Sequence, residues 1–203
     1  MAGPFSEQMD RASLVAEELF AGGLDDWVFE GTADCEVRDG KLVVDAMPDR
    51  YATIWWRKDL PADALIEYRA DVAAPGGEGN NVNTFIYATG PEGEDVLDVR
   101  RSGRYKEYHV IPNYLVTQTS TYSRMRRNPG FELLSERKDF YSVPGETYHV
   151  QLLKVGGLVQ AAFNGRLAHE YTDSNPYTRG RLALRAWHGQ NEYHWVRIWA
   201  IRP

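Results

Sequence analysis

Apolar and polar positions alternate along most of this chain, in short runs. Residues 27–46 (WVFEGTADCEVRDGKLVVDA) read as two strands joined at Asp39-Gly40, a pair that favours a tight hairpin. TIWWRKDL (53–60) and LIEYRADVAAP (65–75) also alternate, with Pro61 between them, and NNVNTFIYATG (80–90) leaves a glycine-rich loop as a further strand. The pattern continues through 105–111 and 114–126, broken at Pro112. Residues 148–173 read as a meander turning at Gly156-Gly157 and Asn164-Gly165, followed by strands at 182–187 and 193–201. Successive side chains of a strand point to opposite faces, so each run offers one face to a core. Turn signals recur about every 8–12 residues, the spacing of a sandwich. Only residues 6–20 suit a helix, with Ser6 as N-cap and Gly22 as stop, and their LVAEELF stretch suits an edge strand equally. Without repeats or low-complexity linkers, the pattern predicts one all-β domain over residues 1–203. It is expected to be a jelly roll of two antiparallel sheets, with residues 1–20 as an N-terminal arm or short helix.

Composition sharpens this picture. The 203 residues are 43% hydrophobic and 26% charged, a globular balance, and suffice for one sizeable core. A net charge of −6 and a pI near 5.4 argue against a nucleic-acid partner, which requires a basic field. The basic residues are nevertheless uneven. Arg100, Arg101, Arg104, Lys106, Arg124, Arg126 and Arg127 face Glu107 alone within their stretch, which suggests a local basic cleft for a small anion such as a carboxylate. The one cysteine, Cys35, excludes an intrachain disulfide. The N-terminal stretch lacks the long apolar run of a secretory signal and no segment reaches membrane-spanning length, so a cytoplasmic protein with no membrane partner is expected. A homo-oligomer is left open.

Several stretches resemble the YesU-like β-sandwich family, bacterial proteins of the concanavalin-like jelly rolls that often accompany the use of pectin and other uronic-acid polysaccharides. They are GGLDDWVFEG (22–31), ATIWWRKDLP (52–61), NNVNTFIYATG (80–90), RSGRYKEYH (101–109), YSRMRRNPGFELL (122–134) and YTDSNPYTRGRLALRAWHG (171–189), in order along most of the chain. The resemblance implies a concanavalin-like jelly roll and a carbohydrate ligand. One departure is that Asn80, Asn81 and Asn83 stand where many such proteins carry an aspartate, so no metal or acid role passes to that strand.

Four constellations carry candidate chemistry. Tyr105, Tyr108 and His109 with Arg124, Arg126 and Arg127 suit β-elimination from a uronic acid: arginine neutralises the carboxylate and acidifies the neighbouring C–H, a histidine or tyrosine removes that proton, and a second group protonates the leaving oxygen. The same set would serve binding without chemistry, or would be a solvated face paired with Glu132, Glu136 and Asp139. Asn81 and Asn83 offer amides that both donate and accept, matching sugar hydroxyls, although Asn in a glycine-rich loop is also ordinary turn chemistry. Of Trp55 and Trp56, one should enter the core and the other, Trp56, could stack on a sugar ring. His188 follows Trp187 at a strand end, where an imidazole suits acid–base work or a plain rim hydrogen bond.

Nucleotide, P-loop, zincin, CxxC and nucleophile-elbow motifs are absent. Asp45, Asp71, Asp95 and Asp98 lack calcium-ligand spacing, so no cofactor is expected. The sequence therefore predicts a protein acting on an acidic or oxidised oligosaccharide, with elimination as the first reading. His109 or His188 would be the base and Tyr108 or Tyr122 the proton donor. Arg124 and Arg126 would clamp the carboxylate, and Asn81, Asn83 and Trp56 would hold the sugar. The alternatives are a non-catalytic carbohydrate-binding protein and a glycoside hydrolase using two carboxylates.

Overall fold

A computed structural model describes residues 5–74 and 82–202. Among these, fifteen strands build two antiparallel sheets. The strands are β1 (Ala12–Glu18), β2 (Trp27–Gly31), β3 (Asp34–Arg38), β4 (Lys41–Asp45), β5 (Tyr51–Asp59), β6 (Ala64–Ala74), β7 (Val82–Ala88), β8 (Asn113–Gln118), β9 (Ser123–Asn128), β10 (Glu132–Arg137), β11 (Thr147–Val155), β12 (Leu158–Phe163), β13 (Arg166–Thr172), β14 (Arg181–Trp187) and β15 (Gln190–Ile201). The first sheet runs β13-β12-β11-β6-β15-β4-β3, with β1 also on β15; the second runs β10-β9-β8-β7-β14-β5-β2. β7 to β10 follow in chain order across the second sheet, and its other half joins distant parts of the chain, as in a jelly roll: β14 lies between β5 and β7.

The alternation expected of a sandwich explains the core. Ala52, Ile54 and Trp56 of β5 and Leu182, Leu184 and Ala186 of β14 point between the sheets, where they meet Ile66, Tyr68, Val150 and Ile198 of the first sheet. At the sheet edge the buried His169 of β13 joins the layers, its Nε2 2.8 Å from Ser123 Oγ of β9 and its Nδ1 2.9 Å from Ser135 Oγ of β10.

Both faces of the second sheet are buried in places, which alternation alone does not predict. All seven residues of β7 are buried. The cause is the segment between β7 and β8, which folds back over the outer face as a roof. Val96, Tyr108 and Ile111 of the roof cover Trp55, Phe85, Leu115 and Ala183 of the strands, forming a second apolar cluster. Full burial of a large apolar side chain contributes about 1.5–3 kcal/mol, so this cluster is what holds the roof down.

Three local expectations, at 105–111, 114–126 and the two-strand reading of 27–46, are corrected, and the two options left for residues 6–20 both occur. Residues 105–111 are not a strand: Tyr105–Tyr108 forms a 3₁₀ turn. The Glu107 carboxylate accepts the backbone N–H groups of Ser102, Gly103 and Arg104 at 2.9, 3.0 and 3.1 Å, and this local closure overrides the alternating pattern. Residues 114–126 divide into β8 and β9 at a turn in which Thr119 N–H donates to Tyr122 C=O at 2.8 Å. Residues 6–20 give one helical turn, Ser6–Met9, and then the edge strand β1, whose Glu17 meets Arg197 of β15 at 2.7 Å. The Asp39-Gly40 hairpin joins β3 to β4, while β2 belongs to the opposite sheet. Among the described residues no helix is long and apolar enough to cross a membrane.

Candidate functional site

The antiparallel registers align two rows of outward side chains across the second sheet. One row reads Val28, Trp55, Ala183, Phe85, Leu115, Arg126 and Leu133, strand by strand; it is mostly apolar, and its centre lies under the roof. The next row reads Glu30, Thr53, Arg185, Asn83, Thr117, Arg124 and Glu136. The middle of this polar row, Arg185, Asn83 and Thr117, emerges from beneath the roof and forms the floor of a cleft of about 420 Å³. Tyr51, Tyr122 and Trp187 line it from the strands and turns, and Arg104, Tyr105 and Lys106 line it from the roof. Trp187 is 42% exposed, an indole left open at the cleft.

The roof is fastened to the floor by a buried network. Arg101, in the RSG stretch, pairs with Glu30 at 2.6 Å and donates to Val96 C=O at 2.7 Å. Tyr108 donates its hydroxyl proton to the other Glu30 oxygen at 2.8 Å. Beside it, Arg185 donates from Nη1 to Thr53 Oγ1 at 2.6 Å and to Gly103 C=O at 2.7 Å. Its guanidinium lies 5.3–5.6 Å from the ring centroids of Tyr51, Tyr105 and Tyr108.

The expected site residues separate under this geometry. Tyr122 and Asn83 line the cleft; Asn81 lies outside the described residues. Trp56 does not face the cleft: it is 3% exposed in the inter-sheet core, 5.0 Å from Trp27, because its neighbour Trp55 takes the outward position. Tyr108 is no free proton donor, since its hydroxyl is committed to Glu30 and burial, with the Glu30 charge, pushes its pKa up. His109 lies behind Tyr105, 4.6 Å from that ring and stacked 3.7 Å from Phe131. Burial first, then the charges of Arg126, Lys106 and Arg185, push it down to about 4. His188 pairs with Asp49 at 2.8 Å and is not among the cleft-lining residues. Arg124 is on the polar row but bonded to Glu136 at 2.6 Å and laid over the Tyr122 ring at 3.9 Å. Arg126 is one row away, over the Phe131 ring at 3.8 Å and donating to Phe131 C=O. The cation at the floor is instead Arg185, which sequence reasoning missed. Its signal was a lone charge inside the apolar run LALRAW, in phase with Trp187.

Among the described residues no group of three or more His, Cys, Asp and Glu is placed to hold a metal ion. The aspartates weighed above serve other partners: Asp71 accepts from Lys41, Thr147 and His194, and Asp95 from Arg181.

His109 and His169 fix a pH dependence. Burial pushes His169 down to about 4 as well, with a smaller contribution from Arg137. An exposed histidine titrates near 6.5, so between these values the unfolded chain holds more protons than the folded one. This contribution to stability is complete above about pH 6.5 and is lost as the pH falls toward about 4. Urea unfolding should show a loss of about 2 kcal/mol from pH 7 to pH 5, mostly from His169, which is 1% exposed. The drop should shrink in His169→Gln; equal stability at the two pH values in the unaltered protein would contradict the assignment.

Fold and site together define a two-sheet jelly roll of the galectin-like and concanavalin-like kind, with a roofed cleft on the outer face of one sheet. A family profile described as a domain of unknown function, DUF6250, matches residues 48–194, and the chain belongs to that family. A Bacillus subtilis protein of unknown function with a galectin-like fold is similar over 94% of this chain and 98% of its own, at 19% identity and a TM-score of 0.81. The carbohydrate-binding module CBM66 from Bacillus subtilis aligns with a TM-score of 0.60 and 14% identity, over 85% of this chain and 94% of its own. A Bacillus licheniformis β-glucanase aligns with a TM-score of 0.59 and 14% identity, over 92% and 98%. A search among curated proteins found no match.

Proposed function

We propose that this protein binds an acidic or oxidised oligosaccharide in the cleft on the outer face of the second sheet. The observation that carries the reading is the lining itself: one open indole, three phenols, an amide and two threonines under a cationic rim, with no Asp or Glu among the described lining residues. Aromatic faces pack on the apolar C–H faces of sugar rings, while hydroxyls and amides match their hydroxyl groups. Arg104 and Lys106 bias the cleft toward anions. The likeness to a carbohydrate-binding module and a glucanase supports a saccharide as the ligand class. The YesU-like resemblance supports uronate oligomers, encountered in the cytoplasm after import.

Binding of oligouronides should quench tryptophan fluorescence saturably. Trp187→Ala should weaken that binding about tenfold, the equivalent of about 1.4 kcal/mol for one stacked aromatic, with thermal stability unchanged. If the unaltered protein binds none of a panel of acidic and neutral oligosaccharides, the reading is wrong.

β-Elimination is a second reading, supported by Arg185 lying beside the phenols of Tyr51 and Tyr105. In that step a phenolate takes the C5 proton of a uronate, the C4–O bond breaks as the C4=C5 bond forms, and the departing oxygen takes a proton. It would add absorbance near the ultraviolet end during incubation with oligouronides, and a flat trace leaves binding alone. Two-carboxylate hydrolysis finds no acidic pair among the described lining residues.

A further inference from the structure

We infer that Arg185, rather than the exposed cationic rim, makes the cleft select a carboxylate-bearing sugar over its uncharged counterpart. This rests on the saccharide reading above and names the group that sets its charge specificity. Arg185 is 1% exposed, yet no ion pair joins it to a carboxylate among the described residues. The other deeply buried cations are matched: Arg101 by Glu30 at 2.6 Å and Lys154 by Asp63 at 3.1 Å. Burial of a charge without a counter-charge is costly and uncommon. Glu30 is close enough to be felt by Arg185, but Arg101 already balances its charge and Tyr108 occupies its second oxygen. Three charged groups, two positive and one negative, thus leave one positive charge beneath the cleft floor.

That unbalanced charge sits where a ligand would lie. Arg185 stands in the polar row between Thr53 and Asn83, and is itself part of the cleft lining. Its hydrogen bonds to Thr53 and Gly103 and its three flanking phenol rings hold it there without neutralising it. Low local dielectric strengthens its attraction for an incoming anion, and burial shields it from dissolved salt. A rim cation such as Arg104 or Lys106 is exposed, so its attraction fades as salt is added. The free protein therefore carries a charge that a bound carboxylate would balance.

The test uses trigalacturonate and its methyl ester, which share linkage and shape and differ in charge. The unaltered protein should bind the free acid at least thirtyfold more tightly than the ester, and at least tenfold more tightly at about 0.5 M salt, where exposed charges are screened. Arg185→Met should abolish the preference by weakening the acid alone, and Arg185→Lys should restore part of it. If Arg185→Met does not fold, the salt series on the unaltered protein decides. Equal affinity for acid and ester overturns the inference and leaves the saccharide reading standing. So does a preference that disappears with salt, or one that Arg185→Met keeps and an Arg104→Ala/Lys106→Ala variant loses. Absence of binding to either trisaccharide, and to the wider panel, refutes the saccharide reading itself.

Discussion

Replacing Arg101 with methionine should cost about 3–5 kcal/mol of stability, because it leaves the Glu30 carboxylate buried without its cation. The pair is the main polar tie between the roof and the sheet. Arg101 holds Glu30 and Val96 C=O, and its guanidinium lies 5.3 Å from the Trp55 ring centroid and 5.9 Å from that of Tyr108. Its loss therefore strips a charge partner and a packing partner from one place. Trp55 is wholly buried beneath the roof, so loosening should also shift its fluorescence to the red. Arg104, Tyr105 and Lys106 follow directly in the chain, and saccharide binding should weaken along with the roof. The double variant Glu30→Gln/Arg101→Met provides the control. Removing both charges leaves no orphan, so it should be markedly more stable than Arg101→Met alone. Urea unfolding measures both. A loss below about 1 kcal/mol in the single variant would show that the pair does not anchor the roof.

Gly103→Ala should cost about 3 kcal/mol for two reasons that compound. Gly103 has a φ of +90°, a region that side chains rarely adopt. A Cβ there would also stand 2.8 Å from both N and Cα of Gly31, a contact against backbone that no side-chain rotation relieves. The close approach of these two glycines lets the roof descend far enough for Gly103 C=O to accept from Arg185 and for Tyr108 to reach Glu30. Gly103→Ala should therefore lower the unfolding midpoint and weaken binding together. Ser102→Ala, one residue away and exposed, loses only its hydroxyl's 2.9 Å hydrogen bond to Glu107 and should cost about 1 kcal/mol or less. Comparable midpoints for Gly103→Ala and Ser102→Ala would argue against the tight packing of roof on sheet.

These effects concentrate in a segment whose conformation the sequence did not disclose. Tyr105, Glu107 and His109 alternate as well as any strand does, and no local signal separates them from β5 or β14. Glu107 decided otherwise by accepting three successive backbone N–H groups. Once 105–108 is a turn on a roof, His109 stacks on the Phe131 ring that Arg126 also covers, Arg124 goes to Glu136, and β8 takes the place beside β9. The Trp55-Trp56 pair shows the complementary limit. Alternation required one indole on each side of the sheet, which is what occurs, but both are buried because the roof covers the outer one.

What the sequence determined by itself is what depends on near neighbours: the all-β class, most strand positions, and the turns at Asp39-Gly40, Gly156-Gly157 and Asn164-Gly165. The period-two pattern and turn chemistry act over a few residues, so they can be read without knowing the partner strand. The resemblance carried by its motifs also anticipated the jelly roll. Only the tertiary structure decided the cleft, because its lining joins Tyr51 of β5, Asn83 of β7, Thr117 of β8 and Arg185 and Trp187 of β14 to the roof, from stretches far apart in the chain. Whether a given arginine is solvated, paired or left alone under a ligand depends on which carboxylate the fold brings within a few ångströms. The fold gave Glu30 to Arg101 and Glu136 to Arg124, and no carboxylate partner among the described residues to Arg185.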